Sequence, residues 1–315
     1  MNKRIYNKAP LSFDEQLSLM KKRGLTVDNE EKAISYLKSI SYYRLSAYFL
    51  PYQAEKDKFN KGITFKQIIR TYTFDRELRL IIFDCIERIE VAIRTQLIYS
   101  MSITYNDAHW HDKKHYFAKP YKNNRGEIID PFKELKNIIE RAQNNTRREV
   151  FIIHYMDTYS QPANPPSWMC LELLTIGELS HTYKGLAKNE DKKRIADYFG
   201  LHYEVFESWL HTLTYVRNLC AHHSRLWNRE LAIIPKKLNK PQGHWLDTSF
   251  ENNKRVFYFI SILKYLLDRA NPGNNLRNKI EILFNKYTTI PIQYLGIPSD
   301  GQGNLLDWKQ QALWK

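Results

Sequence analysis

The sequence predicts an all-α fold, a multi-helix bundle with a small N-terminal helical subdomain and an extended C-terminal tail. Apolar residues recur at intervals of three and four along most of the chain, which is the period of an amphipathic helix. Helix-capping signals precede several of these segments. We find no Gly-rich phosphate loop, internal repeat or alternation of strands and helices. With 315 residues, 43% of them hydrophobic, the chain can bury one large or two modest cores and is too apolar for a disordered protein.

Three short helices are predicted near the N-terminus. Ser12 and Glu15 have the spacing of a capping box, and Asp28 and Glu31 repeat it before the second helix. The aromatic segment Tyr42–Tyr52 predicts a third helix that proline interrupts near its end. Three short helices in succession could form a variant of the helix-turn-helix, although no recognition helix is evident, or a small packing subdomain.

The longest predicted helix runs from a capping pair at Thr64 and Gln67 to about Ser102. Its apolar residues step by three and four, so we expect a core helix. These residues are Leu78, Ile81, Ile82, Cys85, Ile86, Ile89, Ile93 and Leu97.

Acidic and basic residues lie off the apolar stripe of this helix. Glu90 and Arg94 are four residues apart, and the default interpretation of such a pair is a solvated ion pair of small energetic value. The functional alternative is that Glu87, Glu90 or Arg94 faces the helix that carries Arg217 and holds its guanidinium group.

Residues 105–131 predict an irregular region, because turn-forming residues follow one another there. His109, His111 and His115 invite a metal hypothesis, but no matching cysteine or acidic ligand set lies nearby at a familiar spacing. Packing or base stacking is the alternative, and we predict no metal site. Several basic residues in and beyond this region are candidates for phosphate contacts: Lys113, Lys114, Lys122, Arg125, Arg147, Arg148, Lys236 and Lys237.

Later segments continue the helical pattern. A helix that begins near Ser167 is predicted to turn its apolar residues inward, namely Trp168, Leu171, Leu174, Ile176 and Leu179. We predict three regions, a small N-terminal helical subdomain at 1–60, a helical bundle at 61–290, and a C-terminal tail at 291–315 that packs on the bundle. The apolar residues of the tail are Leu305, Trp308, Leu313 and Trp314.

The most informative stretch is Arg217–Trp227, where arginine, amide and histidine side chains recur at helical spacing. On a helical wheel, the polar residues of this helix occupy less than half of the circumference. They are His211, Thr214, Arg217, Asn218, His222 and Arg225. The opposite side is apolar, and His223 falls within it, so we expect His223 to pack in the core. Such a stripe is suited to an anionic ligand, with a purely structural role as the alternative.

Composition favours a polyanionic partner. Lysine and arginine exceed aspartate and glutamate by 48 to 34, a formal net charge of +14, which favours phosphate-rich partners; a generally basic surface is the alternative. The three cysteines are far apart and predict core thiols in a reducing compartment. No apolar stretch approaches the length of a membrane span, and a polar segment follows Met1–Arg4. We therefore expect a soluble, cytoplasmic protein. Separately, we predict no cofactor.

Five ordered blocks of the sequence resemble the Abi family of bacterial abortive-infection proteins, of the AbiD and AbiF type. The blocks are Asn7–Ser12, Ile40–Tyr48, Phe74–Arg79, Glu87–Gln96 and Arg217–Trp227. The resemblance covers nearly the whole chain. It implies a helical bundle of the HEPN superfamily, whose Arg-x-x-x-x-His motif marks metal-independent ribonucleases. On this chain the motif maps onto Arg217, Asn218 and His222.

These residue types suit RNA cleavage, because RNA carries its own nucleophile, the 2′-hydroxyl. Histidine is suited to proton transfer near neutral pH, and arginine offers a fork of donors to a phosphorane. We expect His222 to act as base or acid, Arg217 to stabilise the phosphorane, and Asn218 to orient the reacting groups. One protomer supplies one such histidine, and the resemblance implies a homodimer that pairs two motifs.

Two other functions stay open at this level. The stripe could bind RNA without cutting it, in a ribonucleoprotein with a small non-coding RNA, a partner that the resemblance to AbiF-type proteins suggests. A DNA-binding regulator that acts through the first 50 residues is the weaker alternative.

Overall fold

The computed structural model describes residues 7, 9–123, 125–146 and 148–315. Within these residues the fold is mostly helical, as predicted, and its strands form two short antiparallel hairpins. The helices are α1 (Phe13–Lys22), α2 (Glu30–Ile40), α3 (Tyr42–Ser46), α4 (Phe65–Tyr105), α5 (Pro131–Gln143), α6 (Val150–Thr158), α7 (Ser167–Cys170), α8 (Ile176–Lys184), α9 (Asn189–Tyr198), α10 (Tyr203–Ala221), α11 (Val256–Ala270) and α12 (Leu276–Lys286). The strands are β1 (Gln53–Glu55) with β2 (Lys58–Phe59), and β3 (Tyr121–Lys122) with β4 (Ile128–Ile129). No helix in the described part of the chain combines the length and apolarity of a membrane span.

The chain divides into two compact units. The first contains the described residues up to Arg79 together with Ile282–Pro291, and the second contains Leu80–Glu281 and Ile292–Lys315. The division therefore falls inside α4, whereas the sequence suggested a boundary at residue 60.

Capping interactions set the helix starts in the first unit. Ser12 and Glu15 form the predicted capping box, with Ser12 Oγ accepting from Glu15 N at 3.3 Å and Glu15 Oε2 accepting from Ser12 N at 2.7 Å. The second helix is capped by Asn29, whose Oδ1 accepts from Lys32 N at 2.8 Å. The predicted cap at Asp28 was therefore wrong by one residue. Both residue types are good caps, and sequence alone does not choose between neighbours.

In the first unit, Tyr48 of one sequence block forms a hydrogen bond to a buried ion pair of another block. Asp75 and Arg79 are 0% and 5% exposed and pair one helical turn apart on α4. Tyr48 donates its hydroxyl hydrogen to Asp75 Oδ2 at 2.6 Å. Removing one partner of the ion pair would leave an uncompensated buried charge and would destabilise the fold.

In the second unit, α10 packs most extensively against α8. The two helices approach closely at Gly177, where a Cβ atom would lie 3.2 Å from Thr214 Cγ2. The predicted apolar face of α10 is buried, including Trp209, Leu213 and Val216. The three cysteines, Cys85, Cys170 and Cys220, are also buried, as expected for core thiols.

Two predictions of burial in this unit were wrong. Trp168 is 49% exposed, because the helix that begins at Ser167 ends after one turn and the chain restarts at Thr175, the cap of α8. In the tail, Leu305 is 41% exposed. The other tail residues, Trp308, Leu313 and Trp314, are buried, and Trp314 stacks on Phe257 of α11.

Candidate functional site

The site is built around the C-terminal end of α10. His222 is the C-cap, and His223 follows with φ +55°, the left-handed conformation. The N–H of His223 donates to Cys220 O at 3.0 Å, and the N–H of Ser224 donates to Leu219 O at 2.8 Å. This pair of hydrogen bonds is a Schellman motif, which usually places glycine at the left-handed position.

The early end of α10 corrects two positions that were extrapolated from the helical wheel. His223 is exposed rather than packed in the core. Arg225 also lies beyond the helix, so it does not continue the polar stripe. Its Nη1 donates to Trp227 O at 2.6 Å and to Asn228 O at 2.7 Å, so Arg225 holds the loop that follows α10.

Arg217, Asn218 and His222 lie on one side of α10. Asn218 and His222 are exposed, and Arg217 is half-buried. Arg217 Nη1 donates to Asn218 Oδ1 at 3.4 Å, and the guanidinium carbon lies 5.8 Å from the ring centroid of Phe83 on α4. Five residues of helix separate Arg217 from His222 by about 7.5 Å along the axis, a span that one or two phosphodiester groups can cover.

A second group of charged residues on α4 is more buried than the sequence suggested. The side chains of Arg94 and Glu90 are 11% and 20% exposed, with Arg94 Nη2 at 3.0 Å from Glu90 Oε1. The same nitrogen donates to Leu174 O at 2.8 Å, and Arg94 Nη1 lies 3.3 Å from Glu172 Oε2. The default interpretation, a solvated pair, was therefore wrong. Arg94 ties α4 to the segment between α7 and α8.

Arg217 acts electrostatically on this group. Burial raises the pKa of Glu90 above its ordinary value, while the neighbouring cations Arg94 and Arg217 oppose the rise and Glu87 adds to it. The ion pair of Glu90 with Arg94 is therefore within electrostatic range of Arg217, and Glu87 on the same helix is exposed. A carboxyl group with a raised pKa beside a guanidinium is a frequent feature of functional sites.

Two more residues of the predicted polar stripe, His211 and Thr214, lie nearer the N-terminus of α10. His211 lines a cavity of about 520 Å³ together with His181 and Lys184. Burial lowers the pKa of His211, and the nearby Lys184 and His181 lower it further. Thr214 is half-buried and donates its hydroxyl hydrogen to Leu210 O at 3.0 Å, so it packs at the contact with α8.

The predicted basic residues fall into two groups. Three of them form ion pairs: Lys113 with Asp107 at 2.7 Å, Lys236 with Glu204 at 2.9 Å, and Lys237 with Glu251 at 3.6 Å. The others are exposed and form no ion pair within the described ranges: Lys114, Lys122, Arg125 and Arg148. Arg147 lies outside the described residues. Those in the second group have charges free to meet a phosphate backbone.

In the histidine-rich segment after α4, the side chain of His111 is fully buried. Neither ring nitrogen of His111 has a hydrogen-bond partner among the described residues, and burial lowers the pKa of His111 to about 4. Its ring lies 6.2 Å from that of His109. The described residues contain no group of three or more His, Cys, Asp or Glu side chains that could hold a metal ion.

A family model described as Abi-like protein matches residues 35–228. The chain belongs to the Abi-like protein family. The matched stretch is more than half of the chain and contains Arg217, His222, Glu90, Arg94 and Glu172, and membership suggests a role in abortive-infection defence. Comparisons with curated proteins and with solved structures gave no significant match.

Proposed function

We propose that this Abi-like protein is a metal-independent endoribonuclease of the HEPN type that acts in abortive-infection or toxin-antitoxin defence. It would cut RNA by attack of the 2′-hydroxyl on the adjacent phosphate, leaving a 2′,3′-cyclic phosphate and a free 5′-hydroxyl. One observation carries the proposal: the imidazole of His222 and the amide of Asn218 are exposed at the end of α10, on the side that also carries the guanidinium of Arg217.

Each side chain has a role that its chemistry supports. Arg217 presents a fork of N–H donors to the phosphate oxygens and stabilises the negative charge of the phosphorane. His222 takes the proton of the 2′-hydroxyl or returns one to the departing 5′-oxygen. Asn218 keeps an amide within reach of Arg217 and orients the guanidinium or a phosphate oxygen.

The α4 residues would position the guanidinium of Arg217. Glu90 interacts electrostatically with Arg217, and the ring of Phe83 lies within cation–π distance, 5.8 Å from ring centroid to guanidinium carbon. Arg94 holds Glu90 through the 3.0 Å ion pair. An arginine constrained in this way loses less conformational entropy when it binds a phosphate.

A homodimer would complete the site, since cleavage needs both a base and an acid. One face of α4 exposes three apolar residues, Leu80 (56% exposed), Phe83 (39%) and Val91 (50%). Phe83 is also the residue beside Arg217. We therefore place a second copy of the chain on this face, with its own His222 directed to the same scissile phosphate.

The direct test is cleavage of single-stranded RNA by purified protein and by the variant His222→Ala. Because His222 is exposed at a helix end, the variant should keep its fold and its affinity for RNA and lose cleavage. His244→Ala, at another exposed histidine of the same unit, is the matched control and should cut at the parental rate. Equal cleavage by His222→Ala would refute the catalytic assignment. Stable RNA binding without cleavage by the parental protein would favour the alternative, a ribonucleoprotein component.

Dimerisation is tested separately with Val91→Asp, which places a charge on the exposed α4 face. The variant should sediment as a monomer and lose cleavage together with dimerisation. Val150→Asp alters an even more exposed valine, 79% accessible on α6, and should change neither property. A Val91→Asp protein that remains dimeric and active would remove α4 from the interface.

A further inference from the structure

A cavity of about 530 Å³ lies within the first unit, between α2, the first turns of α4 and the end of α12. Its volume falls in the range of roughly 300–1,000 Å³ that is typical of small-molecule sites. The cavity is lined by both basic and aromatic side chains, a combination that the sequence did not reveal because the residues come from three separate segments.

Three cations of the lining have no counter-charge. Lys32, Lys66 and Arg70 form no ion pair with any residue that the structure describes. A fourth cation, Lys286, is paired with Glu77, with Nζ 2.7 Å from Oε1. Since Asp28 is the one carboxylate in the lining, the cavity carries a surplus of positive charge, and an anionic ligand would neutralise it.

The guanidinium of Arg70 is fixed at the cavity wall. It lies 5.4 Å from the ring centroid of Tyr287, and its Nη2 donates to Lys286 O at 3.3 Å. Its Nε is buried and has no partner in the described part of the chain. Because a buried donor without an acceptor is unfavourable, a small shift of this nitrogen toward a bound anion would be favourable.

An aromatic wall lies beside the cations. The ring of Tyr36 is half-exposed and packs against the buried ring of Phe65, with centroids 6.2 Å apart and planes at 50°. A partly exposed aromatic ring that lines a cavity can act as a stacking platform for a nucleobase. Lys32 and Tyr36 are one helical turn apart on α2, so the platform and an ammonium group lie on the same face.

We propose that this cavity binds a nucleoside phosphate, with its phosphate held by Lys32, Lys66 and Arg70 and its base against Tyr36. The proposal does not depend on the ribonuclease assignment, because none of these residues belongs to that site. The ligand is a free nucleotide or the 5′-phosphorylated end of an RNA strand, which share this chemistry. The volume accommodates about one nucleotide and excludes a duplex.

The test is calorimetric titration of the full-length protein with adenosine 5′-monophosphate, which has no scissile phosphodiester. We expect adenosine 5′-monophosphate to bind more tightly than adenosine, and we expect its binding to weaken as salt is added. Lys32→Ala combined with Lys66→Ala should weaken it by roughly tenfold or more. Both lysines are exposed, so the variant should fold normally. Lys38→Ala, at an exposed lysine of α2 outside the cavity, is the matched control.

Further arms test the aromatic wall and the source of the ligand. Tyr36→Leu should weaken binding of the nucleotide and leave binding of inorganic phosphate unchanged. A short 2′-O-methyl oligonucleotide with a 5′-phosphate, compared with its 5′-hydroxyl form, tests the strand end. Tighter binding of the phosphorylated strand than of the free nucleotide identifies the strand end, and the reverse order identifies the nucleotide. Equal affinity for adenosine and its monophosphate, parental affinity in the double variant, or no binding at all would overturn the proposal.

Discussion

His223 provides the sharpest test of how the fold presents His222. The backbone of His223 is left-handed at φ +55° and closes the Schellman motif at the end of α10. A residue with a Cβ atom pays about 1–2 kcal/mol in this conformation. Glycine avoids that strain and adds about 0.5–1 kcal/mol of chain entropy to the unfolded state. From these two backbone effects alone, the substitution His223→Gly should stabilise the second unit by about 0.5–1 kcal/mol.

The assay is calorimetric melting combined with RNA cleavage. His223→Gly should raise the melting temperature by about 1–4 °C and retain cleavage, because His222 stays at the helix end. His223→Val places a β-branched side chain in the same conformation, so it should lower the melting temperature and reduce cleavage through displacement of His222. If His223→Gly is stable but inactive, the side chain of His223 takes part in the chemistry. Termination of the helix would then not be enough to explain why cleavage needs this residue.

Three more predictions follow from the charged and buried groups. Arg217→Lys keeps the charge but removes the fork of donors, so cleavage should fall by roughly tenfold to a hundredfold in a single-turnover assay; unchanged cleavage would exclude bidentate contact. The raised pKa of Glu90 means that its contribution to stability is present below pH 4.5 and is lost as the pH rises through the raised value. The melting temperature of the parental protein relative to Glu90→Gln should therefore fall as the pH rises above about 4.5, and a rising difference would contradict the burial effect. For His111, whose pKa is lowered to about 4, stability is present above pH 6.5 and is lost as the pH falls through about 4. Denaturant titrations of the parental protein should show the free energy of unfolding fall by about 3 kcal/mol between pH 6.5 and pH 4. His111→Gln should not show this fall, and identical pH profiles of the two proteins would show that His111 is solvated.

The sequence predicted those features of the fold that depend on local periodicity. The buried side of α10 and the apolar stripe of α4 follow from residues three and four apart, and the wheel placed Asn218 and His222 on the open side. It failed at the end of α10, because the terminating residue is a histidine in a conformation that normally indicates glycine. The wheel was therefore extended through His223 and Arg225, which lie beyond the helix.

Other misses arose from contacts between residues distant in sequence. Arg94 contacts Glu172, which lies 78 positions later in the sequence. The sequence therefore identified Glu90, the acidic partner of Arg94 on α4, and missed Glu172. Trp168 was assigned to the core because its helix was expected to continue, whereas Thr175 starts a new one with a capping box of its own. The basic and aromatic cavity near Tyr36 comes from three segments of the first unit and has no periodic signature.

The end groups of the cleaved RNA test the central claim most directly. RNA would be incubated with the purified protein in excess chelator, and the fragments would be analysed by mass spectrometry beside a substrate that is 2′-O-methylated throughout. If Arg217 and His222 act on the 2′-hydroxyl, the RNA is cut to fragments with 2′,3′-cyclic phosphate and 5′-hydroxyl ends, and the methylated strand remains intact. Cleavage of the methylated strand, 5′-phosphate ends, or a requirement for an added metal ion would contradict the mechanism.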